Sequence, residues 1–258
     1  MMRIAALQMR AVAGDVEANI ERIGLAARDA ARKGAKLLIA PELALTGYGA
    51  GDAITALAQD AAGPQISKLE RIAHDAGIAI VAGFAERADG TVWNSAAFVD
   101  GKGRRIVYRK SHLYGGYEKG LFQAEQPSTV LFDLADVSCG MLICYDVEFP
   151  ENVRRLAQAG AKLIVVPTAL PDGDSGRFIA EHLIRTRAFE NQVFVAYTDH
   201  CGADERFAYA GRSLIAAPGG TVLAQAGPTD EALLVADVDV DAYAESYAAN
   251  TYLKDLRG

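Results

Sequence analysis

Four side chains with chemistry to offer stand just past apolar or hairpin runs. Leu37-Leu38-Ile39-Ala40 delivers Pro41-Glu42, and Gly140-Met141-Leu142-Ile143 delivers Cys144-Tyr145-Asp146. The run Arg104 to Tyr108 delivers Arg109-Lys110-Ser111-His112, with Glu118 a short way beyond. In α/β sheets ligands collect outside the carboxyl ends of strands, so a site is expected there. A thiol with a pKa near ~8.5 is mostly protonated at neutral pH and needs a base or a nearby cation to act as nucleophile. A carboxylate raised in pKa by burial can be that base. An ammonium can hold the oxyanion formed by attack on a carbonyl, aided by the backbone N–H of Tyr145 next to the thiol. Glu42, Lys110 and Cys144 therefore suit acyl transfer through a thioester, a scheme that requires no metal and no cofactor.

The elements that must position these groups alternate short branched strands with helical periods. Strands are predicted at Ile4 to Leu7, Lys36 to Ala40 and Ile78 to Ala85, with helices at Val16 to Lys33 and Pro64 to Ala76. Asp15 can cap the first helix, and Gly34 and Gly77 can end the two. Turn residues at Asp89-Gly90 and Asp100-Gly101 then separate antiparallel strands Trp93 to Val99 and Arg104 to Tyr108. The second half carries strands Thr129 to Leu134, Val137 to Ile143, Lys162 to Val166, Val193 to Thr198, Ser213 to Ala217, Val222 to Ala226 and Leu233 to Val238. Its helices are predicted at Glu151 to Ala159 and Arg177 to Asn191. The stretch Ala31 to Glu42 is echoed by Ala157 to Thr168. That echo is either the common helix, glycine, strand and proline pattern or the mark of a β core with pseudo-twofold halves.

The 258 residues are 51% hydrophobic and 23% charged, enough for one large α/β domain over residues 1–258. A formal charge of −7 repels phosphate backbones and anionic lipids, so neither nucleic acid nor membrane is an expected partner. No apolar stretch reaches spanning length and the N-terminal residues lack a signal-peptide pattern, so a cytoplasmic location is the default expectation. Three irregularly spaced cysteines do not make a disulfide framework. The four histidines have no metal-site spacing, and Gly115-Gly116 and Gly219-Gly220 read as turns rather than phosphate loops.

Three motifs in order carry a resemblance over the whole chain. They are Pro41-Glu42-Leu43 with Leu45-Thr46-Gly47-Tyr48, then Tyr108-Arg109-Lys110-Ser111-His112-Leu113, then Leu142-Ile143-Cys144-Tyr145-Asp146 with Phe149-Pro150-Glu151. In these the chain resembles the nitrilase (carbon-nitrogen hydrolase) superfamily. The resemblance implies a four-layer αββα sandwich with mixed sheets, assembly as homodimers or larger homo-oligomers, and a Glu-Lys-Cys triad at Glu42, Lys110 and Cys144. It also implies that Glu118 positions substrate and assists proton movement, and that His112 is structural. Ile143 to Ala157, Arg187 to Gln192 and Tyr252 to Arg257 are most similar to bacterial amidases acting on ω-amino-amides such as 5-aminopentanamide. Other amides and nitriles fit the same residues.

Each position has a plainer reading. Cys144 could be an inert buried thiol, Lys110 a solvated base beside Arg109, and Glu42 a helix cap. Many family members carry Arg where this chain has Glu148. Either Glu148 draws a distal ammonium on the substrate, or it forms an ion pair with Arg154, Arg155 or another nearby cation. Tyr48, Tyr114 and Thr168, all after strands, are expected as pocket walls. Cys139 is expected in the core, and Cys201 could reach the pocket from a loop. A thiol redox protein would want a resolving cysteine near Cys144, and a noncatalytic binding module would be expected to have lost one of the three groups.

Overall fold

The computed structural model describes residues 1–257. Among these residues twelve strands run in chain order: β1 (Met2–Gln8), β2 (Leu37–Ile39), β3 (Ala79–Ala88), β4 (Thr91–Val99), β5 (Arg105–Arg109), β6 (Leu131–Leu134), β7 (Val137–Met141), β8 (Leu163–Pro167), β9 (Phe194–Thr198), β10 (Leu214–Ala216), β11 (Val222–Gln225) and β12 (Ala232–Val238). They form two six-stranded sheets, ordered β12-β1-β2-β3-β4-β5 and β6-β7-β8-β9-β10-β11. In each, the second, third and fourth strands are parallel to one another and the remaining neighbours antiparallel. The two orders superimpose element for element, with β2 matching β8. The echo of Ala31 to Glu42 in Ala157 to Thr168 is thus a true pseudo-twofold.

Period-two alternation decides which face each side chain takes. From β1 and β2, Ile4, Ala6, Leu37 and Ile39 turn into the core between the sheets. Ala5 and Leu38 turn outward, beneath the apolar face of helix α1 (Val16–Arg32) formed by Ile20, Ile23 and Ala27. Asp15 caps α1 by accepting the Ala18 N–H at 3.0 Å. The helices then run α2 (Asp52–Leu57), α3 (Pro64–Ala76), α4 (Gly115–Leu121), α5 (Pro150–Gln158), α6 (Asp174–Phe178), α7 (Ile184–Asn191), α8 (Ala244–Ala249) and α9 (Tyr252–Asp255). Helix α3 starts on a proline and stops at Gly77 in the left-handed conformation, as expected. Leu156 of α5 with Ile184 and Ala188 of α7 pack on the second sheet, completing the four layers. Across the middle, Phe98 stacks on Phe132 with ring centroids 4.1 Å apart.

Three departures from the sequence reading have physical causes. The predicted strand to Ile143 stops at Met141, because Cys144 takes a left-handed φ of 46° and turns the chain into a 3-10 segment, Cys144–Glu148. The single helix predicted from Arg177 is two helices joined by one π-helical turn, Ile179–Leu183. Gly115-Gly116, expected only to turn, begins helix α4, with Gly115 at φ +63°. Among the described residues no helix is long and apolar enough to cross a membrane.

Candidate active site

Glu42, Lys110 and Glu118 converge in a space sealed from solvent. Lys110 Nζ donates to Glu42 Oε1 at 2.6 Å and to Glu118 Oε1 at 2.7 Å, and none of the three is more than 1% exposed. Alternation at the end of β5 explains the ammonium. Arg109 turns outward to Glu86 and lies over the Trp93 ring, whereas Lys110 turns inward. It is no solvated base. Glu42 is no helix cap either, since Oε1 also accepts the Asn94 amide at 2.7 Å and Oε2 is buried without a partner among the described residues.

The turn that presents Glu42 leaves room for no other side chain. Gly83 of β3 lies so close that a Cβ there would sit 2.6 Å from Glu42 Cα and 2.3 Å from Leu43 N. Leu43, the next residue, is left-handed at φ 48°. Two residues in this conformation, Leu43 and Cys144, flank the meeting of the two sheets, a concentration of backbone strain typical of functional sites.

Asp146 organises the turn that carries Cys144. Its buried carboxylate accepts hydrogen bonds from the Tyr108 hydroxyl, the Ser111 hydroxyl and the backbone N–H groups of Ser111, His112 and Ile143. The Lys110 segment and the Cys144 turn are thereby tied together. His112 stacks on Phe149 and hydrogen-bonds within this cluster, the structural place expected for it. Arg187 closes the other side by donating to the carbonyls of Val147 and Glu148.

Electrostatics follow from burial. Loss of water pushes the Glu42 carboxyl up to about 7 against the pull of Lys110. Burial alone would lower the Lys110 ammonium, but Glu118 and Glu42 on either side more than reverse this and hold it charged. The Cys144 thiol stands well above its ordinary value, first through burial and then through the charge of Glu42, while Lys110 and the Ala169 N–H pull the other way. At rest the pair therefore holds a neutral thiol beside a carboxylate ready to titrate.

A cleft of about 420 Å³ opens onto Cys144. Tyr114, Tyr145 and Glu148 line one side, and the Leu170 to Gly176 segment lines the other with Asp172 and Asp174 at its rim. Glu148 forms no ion pair among the described residues. Arg155 is taken up by the Ser128 carbonyl and Asn152, and Arg187 reaches only the backbone carbonyl of Glu148. The expected ion pair is therefore absent, and burial raises the Glu148 carboxyl.

Other expected positions are placed differently. Tyr48 is not a cleft wall: it is buried and its hydroxyl donates to Glu118 Oε1 at 2.9 Å. Thr168 is buried with its hydroxyl donating to the Val166 carbonyl, and only its backbone serves the site, its carbonyl accepting the Glu42 N–H. A residue just past a strand is brought near the site, but its facing is decided by the next turn. Glu118 lies behind Lys110, its second oxygen on the Tyr114 N–H, and does not line the cleft. Cys139 is a core residue, its thiol pushed by burial up to about 12. Cys201 is buried away from the cleft.

Sequence spacing does not single out Asn94, Gly83 or the Asp199-His200 pair. The pair follows the strand ending at Thr198, so the strand-end rule that found Glu42 also applies to it. Asn94 is a polar residue interrupting an apolar strand, a weaker signal.

Comparison with known proteins gives this geometry its class. The chain matches the Carbon-nitrogen hydrolase family over residues 3–247. It is 44% identical over 99% of its length to a Pseudomonas protegens protein described as "Hydrolase in pqqF 5'region", covering 89% of that protein. To an (R)-stereoselective amidase of Pseudomonas sp. it is 33% identical, covering 99% of this chain and 92% of the other. An amidase from Nesterenkonia sp. superimposes with a TM-score of 0.88 at 34% identity, over 100% of this chain and 97% of that one, in a structure where acrylamide has added to the active-site cysteine. The chain belongs to the carbon-nitrogen hydrolase family of the nitrilase superfamily. It is an enzyme that hydrolyses carbon–nitrogen bonds.

Proposed function

We propose that the protein is an amidase converting small aliphatic carboxamides to the acid and ammonia through a thioester on Cys144, with a preference for ω-amino-amides such as 5-aminopentanamide. The observation that carries the reading is the cleft: it ends at Cys144, in the field of the buried Glu42–Lys110 pair, and its charged lining groups, Glu148, Asp172 and Asp174, are all acidic. An amide carbon at the sulfur with an ammonium toward Glu148 satisfies both ends.

Glu42 takes the Cys144 proton as the sulfur attacks the amide carbon, and Lys110 with the Tyr145 N–H holds the oxyanion. Glu42 returns that proton to the departing nitrogen, releasing ammonia. Water activated by Glu42 then hydrolyses the thioester. Glu118 serves through the ammonium it shares with Glu42, fixing Lys110 and balancing its charge. A nitrile could enter the same scheme through a thioimidate.

Ammonia release from 5-aminopentanamide, 4-aminobutanamide, pentanamide, glutaramate, N-carbamoylputrescine and a nitrile tests the assignment. The ω-amino-amides should lead. Glu148→Gln is expected to raise KM for 5-aminopentanamide about tenfold, the order of one charge-assisted hydrogen bond, and to leave pentanamide unchanged. Equal losses on both amides would remove Glu148 from amine recognition.

The base has its own signature. Because burial places the Glu42 carboxyl at about 7, kcat/KM should fall on the acid side through an apparent pKa near that value. Below it Glu42 is protonated and cannot accept the thiol proton. A profile flat from pH 5 to 8 would exclude Glu42 as the base.

A further inference from the structure

We propose that Asp199 and His200, the dipeptide just past β9, are positioning residues that hold the nucleophile's surroundings and the base in register across the seam between the sheets. The proposal rests on the assignment of Cys144 and Glu42 above, but not on any particular amide.

Each residue grips one partner. Asp199 is fully buried, and its Oδ1 accepts the Leu170 N–H at 2.8 Å. That bond fixes Leu170, which lines the cleft with Cys144, and with it the adjoining Ala169, whose N–H pulls the Cys144 thiol down. Two flanking bonds hold the same segment, from Thr168 N to Thr198 O at 2.8 Å and from Ala210 N to Leu170 O at 2.9 Å. His200 faces the other way. Its Nε2 donates to the Glu42 carbonyl at 2.7 Å, and the ring is 1% exposed. Glu42 N donates to Thr168 O at 3.3 Å, closing a loop through both sheets.

The dipeptide is itself anchored. Asp199 N donates to Ser213 Oγ at 2.8 Å, and Ser213 N donates to Gln8 Oε1 at 2.9 Å. The grip thus spans β1, β9 and β10. Neither side chain lines the cleft, so neither is placed to touch substrate. What they fix is the Ala169–Leu170 segment beside Cys144 and the path of the chain through Glu42. Both adjust the step in which the proton leaves sulfur rather than the binding of the amide.

The test is the rate of Cys144 alkylation by iodoacetamide across pH 6 to 10, with kcat and KM for the best amide and Cys144→Ala as the unreactive control. Asp199→Ala should slow alkylation and kcat about tenfold, the worth of one buried hydrogen bond, and move the alkylation profile to higher pH while KM holds. Asp199→Asn keeps an oxygen for the Leu170 N–H and should stay within about threefold of the parent. His200→Phe keeps ring volume without the donor and should lower kcat by a similar factor, whereas His200→Gln, which offers an amide N–H, should recover most of it. If Asp199→Ala does not fold, the His200→Phe and His200→Gln pair decides. Parent-like alkylation and kcat in Asp199→Ala and His200→Phe would overturn the proposal, as would conservative variants as damaged as the others. An active Cys144→Ala would instead overturn the nucleophile assignment.

Discussion

Cys144→Ala is expected to lose ammonia release by at least about 10⁴-fold on every amide the parent hydrolyses, with the fold intact. Cys144 brings the one thiol among the residues lining the cleft. Cys139 and Cys201 are buried away from it, so neither can take over. Removing one sulfur from a site already bounded by the rigid Asp146 cluster leaves the turn in place. Mass spectrometry of the parent quenched during turnover should show the acyl adduct on the peptide carrying Cys144, and the variant should show none. Residual activity near one part in a hundred would mean that water attacks the amide directly, with Glu42 as its base.

Lys110→Met should give the largest loss of stability. It removes the cation between two buried carboxylates while keeping most of the side-chain volume. Breaking a buried ion pair from one side costs about 3–5 kcal/mol. For a chain of this size that is roughly 6–20 °C in Tm. The pH dependence has a definite sign. Folded Glu42 holds its proton up to about 7, above the 4.5 ordinary for a glutamate in water and so for the unfolded chain. The native state therefore binds the extra proton, and stability falls as pH rises through that window. Without the ammonium the penalty extends to higher pH. The gap in Tm between parent and variant should therefore widen from pH 5 to pH 8, and a constant gap would show that lost packing, rather than stranded charge, is the cause.

The three groups at the centre were legible because each comes just after a predicted strand, marked by an apolar run before Glu42 and Cys144 and by hairpin turn residues before Lys110. The mixed sheets and the doubled architecture were legible for the same reason, through the match of Lys36 to Pro41 with Lys162 to Pro167. Sequence spacing does not carry facing after the strand ends. Tyr48 and Thr168 lie where expected along the chain, yet hydrogen bonds to Glu118 and Val166 turn both away from the cleft. Asn94 and His200 reach Glu42 from distant parts of the chain, and only the packed sheets bring them together. The break at Ile179–Leu183 is likewise invisible, since a π turn keeps helical periodicity while rotating the face of the helix beyond it.

The sheet that supplies Glu42 and Lys110 is completed on one side by β12, which pairs with β1 along its whole length from Met2↔Val238 to Gln8↔Ala232. That pairing joins strands far apart in the sequence, so the edge it closes is one of high contact order and slow to form. A chain lacking β12 would leave β1 as an open edge, one strand away from β2, the strand that leads into Glu42, and so exposed to pairing with other chains.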